Sequence, residues 1–231
     1  MSTNYSTNAV KIIDSALRAL GVLRSGDTSN NDPVLQADCL ESLNLMIKNW
    51  QNYGIEQWSR ETYTFSNLVA YQSSYRLTDA TFANVIPDRI IQAYVTPQAN
   101  IDVDVSVIGM SEYWQLANKQ ATGQPNQVAY NFQASYGDMY VWPVPTTNNY
   151  TFTIVYHKPY DDFDSVTDVP DLPQRWFEPL KWNLAVRLAP EFGKQVSPEI
   201  AALAKETLNQ AIDEGYEDGG FTLSPDTTRW R

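Results

Sequence analysis

The chain has 231 residues, a formal net charge of −11 and 43% hydrophobic residues, enough apolar material for one large domain or two small ones. Its single cysteine, Cys39, excludes an internal disulfide framework and a cysteine-based zinc site, and its single histidine, His157, argues against a histidine-rich metal centre or a Ser-His-Asp triad. Lys and Arg are scattered, so no basic patch marks a grip on nucleic acid, and no apolar run approaches the ~20 residues of a membrane span.

From Thr7 the apolar positions Val10, Ile13, Leu17 and Leu20 recur at helical spacing, widened by Ile12 and Ala16, and Gly21 offers the stop. The start lacks a charged stretch followed by an apolar one, so no secretory leader is expected and the chain should fold in a cytosol. After a loop rich in Ser, Asn, Asp and Gly, Asp32 reads as an N-cap with Pro33 at the first helical position. Leu35, Cys39, Leu43, Met46, Ile47 and Trp50 continue that helix toward a stop at Tyr53-Gly54. Cys39, on the stripe, reads as a small packing residue.

From Gln57 the period changes to two. Trp58, Tyr63 and Phe65, then VAYQSSYRL, RIIQAYV, IDVDVSVI, QVAYNFQ, DMYVWPVP and YTFTIVYHKPY, predict seven or more short strands. Turns are expected at Asn67, near Gln72–Ser74, at Pro87-Asp88, near Pro97–Asn100, at Gly137-Asp138 and over TNN at 147–149. SEYWQLANK interrupts the strands as a short helix with Ser111 as N-cap. Such a pattern implies a small sandwich or barrel. Trp58, Trp114, Trp142 and Tyr140 could form a sugar-binding platform or simply pack the strands.

Asp161, Asp162, Asp164, Asp168 and Asp171 follow with no basic residue among them. Their spacing is not that of a Ca²⁺ loop, so a solvated acidic connection is expected and no metal. In DLPQRWFEPLKWNLAVRLAPEFGK the stripe is Phe177, Leu180, Leu184 and Leu188, with Trp176, Ala185 and Phe192 beside it and Pro190 and Gly193 as the stop. Pro179 is awkward inside a helix; either residues 173–178 form a separate turn or the helix kinks there. A last helix opens at Ser197 and Pro198, carries Ile200, Leu203, Ala204, Leu208, Ala211 and Ile212, and stops at Gly215. The tail Tyr216–Arg231 has no periodicity, a Gly219-Gly220 hinge and three spaced apolar residues, Phe221, Leu223 and Trp230, the last between Arg229 and Arg231. A tail so polar does not fold alone, and its anchors suit an arm docked on a partner.

The expected fold is α+β. Residues 1–56 and 161–215 make an antiparallel helical bundle from both chain ends, 57–160 an inserted β-sandwich-like antiparallel domain, and 216–231 an extended C-terminal arm. No Gly-rich phosphate loop, GxSxG elbow or HExxH run occurs, and nothing singles out a pair among the many carboxylates. No enzyme and no cofactor is expected.

ALRALGVLRSGDT followed by ADCLESLNLMIKNWQNYGI, then ETYTF, YVWPVP and LPQRWFEPLKWNLAVRLAPEFGKQVSPEIAALAKETL, come in an order that resembles the head-to-tail adaptor family of short-tailed bacteriophages, also called tail accessory factors or packaged-DNA stabilisation proteins. The resemblance covers most of residues 8–212; Pro179 departs from its usual helix formers. It implies a structural virion protein made in the host bacterial cytoplasm. Copies would form a ring, a dodecamer, beneath the portal protein, extend the DNA channel, retain packaged DNA without specific binding, and offer a platform for tail tube or nozzle and fibre or spike proteins. It also implies an extended C-terminal arm reaching along the portal; by residue type, Phe221, Leu223 and Trp230 are expected to enter apolar pockets on portal or a neighbouring copy, and Arg229 and Arg231 to meet acidic groups there. Rival readings are a tail-tube or nozzle ring protein, a carbohydrate-binding β-domain and a cell-wall hydrolase.

Overall fold

The computed structural model describes residues 5–51, 59–77, 86–97 and 101–213. Its helices are α1 (Ala9–Ala19), α2 (Pro33–Gln51), α3 (Met110–Gln115), α4 (Phe177–Leu188) and α5 (Pro198–Asp213). Its strands are β1 (Arg60–Phe65), β2 (Ser74–Arg76), β3 (Arg89–Thr96), β4 (Val103–Ile108), β5 (Gln127–Phe132), β6 (Gly137–Trp142) and β7 (Thr151–His157). The chain is thus mixed α+β, and it divides into two compact units, Met1–Met46 with Phe163–Arg231, and Ile47–Asp162.

In the first unit, each helix end has a local cause. The Asn8 side chain accepts the Lys11 N–H and caps α1. Gly21, at φ +67°, ends it: the Gly21 N–H reaches the Arg18 carbonyl and the Val22 N–H the Leu17 carbonyl, a Schellman closure. The first-turn N–H groups of Ala9 and Val10 are taken by the carbonyls of Asp168 and Val166. Asp32 caps α2, accepting the Leu35 N–H at 3.2 Å. The end expected at Tyr53-Gly54 lies outside the described residues. A 3-10 turn, Gln174–Trp176, precedes α4. This places Pro179 in the first turn of α4, where its missing N–H has no helical partner to lose. Of the two alternatives, the separate turn is therefore the one realised. Gly193, at φ +60°, closes the segment after α4, with the Lys194 N–H on the Ala189 carbonyl. Helix α4 ends at Leu188 with Ala189 as its C-cap, directly before Pro190, whose carbonyl accepts the Gly193 N–H inside the closing turn.

Ile13, Leu17, Cys39, Leu43, Trp176 and Leu184 are fully buried and make the centre of this unit. Helix α4 packs on both α1 and α5. On α5 only Ala204 and Ala211 are buried, and Leu203 is exposed, so the expected stripe is covered over less than its width. Asn183 Nδ2, on α4, donates to the Ala204 carbonyl at 3.0 Å. The acidic connection is stitched by backbone contacts. Asn44 pairs with both the N–H and the carbonyl of Phe163, and Asp168 Oδ2 accepts the Ser165 N–H.

In the second unit the strands form one seven-stranded sheet in the order β1-β7-β3-β4-β5-β6-β2. Five of the six pairings are antiparallel, and β4 with β5 is parallel. That pairing departs from the all-antiparallel expectation, and its reason is the crossover of residues 109–126, which includes α3 and has the length a parallel return needs. The outermost strands β1 and β2 are joined only by residues 66–73, so the sheet must curl. The rings of Phe65 on β1 and Tyr75 on β2 accordingly lie 6.2 Å apart in a shared core with Val95, Met139, Phe152 and Ile154.

Two turns, one strand and one helix cap differ from expectation. Gly137-Asp138 lies within β6, and the turn is Gln133–Tyr136. Gly137 serves space and not a turn: a Cβ there would run into the Tyr130 ring. Residues 147–149 do not close a hairpin, because β6 pairs with β5 and β2, and β7 with β1 and β3. Of VAYQSSYRL only Ser74–Arg76 is strand. The N-cap of α3 is Gly109, not Ser111, and it has no side-chain cap.

Candidate interaction surfaces

The arm residues named from the sequence, Phe221, Leu223, Arg229, Trp230 and Arg231, lie outside the described residues. The aromatic quartet is not assembled into a platform. Trp58 is outside the described residues. The Tyr140 ring packs on Tyr113, with centroids 5.0 Å apart. Trp142 is half-buried and its indole N–H donates to the Asn118 carbonyl at 2.9 Å. Trp114 alone of the described three is open, at 63% exposure.

Ser59 Oγ lies 2.9 Å from His157 Nδ1, a spacing suited to nucleophile and base. Their exposures are 1% and 3%, so the pair is closed to a substrate and satisfies two buried polar groups. Among the described residues no cluster of three or more His, Cys, Asp or Glu could hold a metal ion. The Cys39 thiol is pushed up to about 12, first by burial and then by the carboxylates of Glu191, Asp38 and Asp14, which makes it inert at neutral pH.

A cleft of about 360 Å³ lies between α1 and the start of α4. Lys11, Lys181, Glu178, Thr7, Ser15 and Gln174 give it a mainly polar wall, with Tyr5 and Phe177 in loose aromatic contact at 6.1 Å. It brings no nucleophile to a base.

The most defined surface feature is the link between β1 and β2. Leu68 is buried, and its N–H donates to the Tyr150 carbonyl at 2.8 Å. The Ala70 N–H goes to Asn148 Oδ1 at 2.6 Å and the Tyr71 N–H to the Pro145 carbonyl at 2.8 Å. The Gln72 N–H closes a turn on the Val69 carbonyl. Beneath the turn the Tyr75 hydroxyl accepts the Val69 N–H at 3.1 Å and lies 3.2 Å from the carbonyls of Val69 and Gln72. Out of this tied frame project Val69, 51% exposed, and Tyr71, 73% exposed. Tyr71 has φ +62° and is the single non-glycine residue with positive φ among those described. Sequence reading expected turns at Asn67 and near Gln72–Ser74 with strand between them; the turn instead closes over Val69–Gln72, and VAYQ contains no Gly, Pro, Asn or Asp to announce it.

Over residues 7–229 the chain matches the SU10 adaptor protein family. The chain belongs to this family of phage head–tail adaptors. No curated protein matches it. The family is a structural one and not a class of enzymes, and an adaptor implies contact with other virion proteins such as portal and tail. For a chain of this family, then, the surfaces that matter are those that meet other proteins. No helix among its described residues is long and apolar enough to cross a membrane.

Proposed function

We propose that this SU10 adaptor is the head-to-tail connector of a short-tailed phage. Copies form a ring, a dodecamer, beneath the portal, extend the DNA channel, help retain packaged DNA and give the tail its attachment platform. The observation that carries this reading is the family match over residues 7–229. The net charge of −11 agrees with it, since a wall of like charge surrounds DNA without gripping it. In this reading residues 1–56 and 161–215 form the helical layer and 57–160 the inserted β domain. A ring of identical copies closes through heterologous contacts. Electron microscopy of the purified chain mixed with its portal tests the proposal: a ring of added density under the portal is expected. A chain that leaves the portal bare, or that sits further down the tail as a tube or nozzle ring, refutes it.

The tail Tyr216–Arg231 is proposed as the arm that ties each copy to portal or to its neighbour. Phe221, Leu223 and Trp230 would fill apolar sockets, and Arg229 and Arg231 would meet carboxylates. Trp and Arg are the side chains that most often carry interface energy, about 2 kcal/mol or more each at a hot spot. Deleting residues 219–231 should abolish loading onto portal while leaving the melting temperature of the free chain unchanged. Normal loading of the truncated chain would end the arm proposal and leave the connector reading standing.

A further inference from the structure

We infer that Tyr71 is the tip of a docking loop that inserts into an uncharged, apolar socket on a different virion protein. The inference rests on the adaptor reading and adds to it a specific surface and the chemistry of its partner. The Val69–Gln72 turn places Tyr71 third, at φ +62°, a position that favours Gly because a Cβ there crowds the following carbonyl. A bulky residue in this slot is an outlier. The Tyr71 side chain gains little burial in return, being 73% exposed. The backbone below is held by the bonds to Tyr150, Asn148, Pro145 and Tyr75, so the tip is presented rigidly and loses little freedom on binding. Strain retained at a pre-organised, exposed aromatic is the pattern of a contact residue.

The partner's chemistry follows from the tip. From Ser66 to Tyr75 there is no charged residue, within a chain of net charge −11. A phosphate backbone asks for cations, so DNA is not the occupant. The cleft between α1 and α4 of a second copy is a poor fit, since Val69 and Tyr71 would desolvate Lys11, Lys181 and Glu178 there. An apolar socket with one hydrogen-bonding group for the phenol matches what is offered.

The test uses full-length chain. Tyr71→Gly and Tyr71→Asn both suit the left-handed backbone and remove the aromatic ring. Both should melt at or above the wild-type temperature, while completed particles fall at least about tenfold, the loss expected of a hot spot. Tyr71→Phe should keep most assembly. With p-benzoylphenylalanine at position 71, irradiated particles should yield an adduct to a different virion protein. Wild-type assembly by both Gly and Asn variants overturns the inference, as does an adduct to another copy of this chain, to DNA, or to nothing in particles that contain the chain. Absence of the wild-type chain from particles would instead sink the adaptor reading itself.

Discussion

Gly137→Ala is a one-methyl change with a large expected cost. Gly137 is buried on β6, opposite Phe132 of β5, and its φ is not in the left-handed region, so backbone freedom is not the issue. The obstacle is Tyr130, whose ring and hydroxyl occupy the place a Cβ would take. The ring cannot simply swing away, because its hydroxyl donates to the Pro87 carbonyl at 2.7 Å. Overpacking of this kind costs about 1–3 kcal/mol. Losing the hydrogen bond to Pro87 adds about 1 kcal/mol. The expected loss is therefore about 2–4 kcal/mol, a large part of the ~5–15 kcal/mol that holds an ordinary domain. Urea unfolding followed by tryptophan fluorescence measures it. Tyr130→Ala removes the obstacle at its own price in packing, and Gly137→Ala on that background should then cost less than ~0.5 kcal/mol. A Gly137→Ala chain as stable as wild type, or two costs that simply add, would refute the reasoning.

Two further outcomes follow from buried groups. Burial pushes the Tyr75 phenol up to about 12 and raises Tyr130 and Tyr156 above their ordinary range, Tyr156 also through the Glu61 carboxylate that its hydroxyl meets at 3.0 Å. Their folded values exceed the ~10 of the unfolded chain, so their contribution is complete below pH ~10 and is lost as pH rises through the folded values; urea midpoints should drop above pH ~10, and less steeply in Tyr156→Phe. Because Cys39 is raised to about 12, alkylation at pH 8 should be at least ~100-fold slower in the native chain than in urea, and equal rates would show that the thiol is open.

What the sequence made legible was whatever short-range rules control. The Asp32 and Ser197 caps, Gly21 and Gly193 at φ > 0, Pro33 and Pro198 at first helical positions, and the apolar spacing of α1, α2 and α4 all act within a turn or two, and those elements are found where the spacing places them. Pro179 left two options because the choice depends on whether Gln174–Trp176 makes its own turn, which periodicity does not encode. Strand positions were legible and their pairing was not. Gly137-Asp138 has the composition of a hairpin turn, but the long-range approach of Tyr130 explains the glycine. The parallel β4–β5 pair and the separation of β6 from β7 depend on how the whole sheet curls, which no local window contains. Of the two proposed contact residues, Trp230 was singled out from the sequence and lies outside the described residues, whereas Tyr71 fell in a stretch read as strand between turns expected at Asn67 and near Gln72–Ser74.

Those two aromatics share a logic. Each stands where local rules would choose otherwise: Trp230 in a polar tail without periodicity, Tyr71 in a slot that favours Gly. They also belong to different stretches of the chain, so the connector reading assigns them different partners, portal or neighbour for the arm and a second virion protein for the loop. Loss of the arm should therefore block loading onto portal, and loss of the Tyr71 ring should leave loading intact and stop the step after it. Chains lacking both should stall where the arm truncation alone stalls. If instead the Tyr71 variants also fail to load, the loop and the arm serve one interface, and the division of labour between them is wrong.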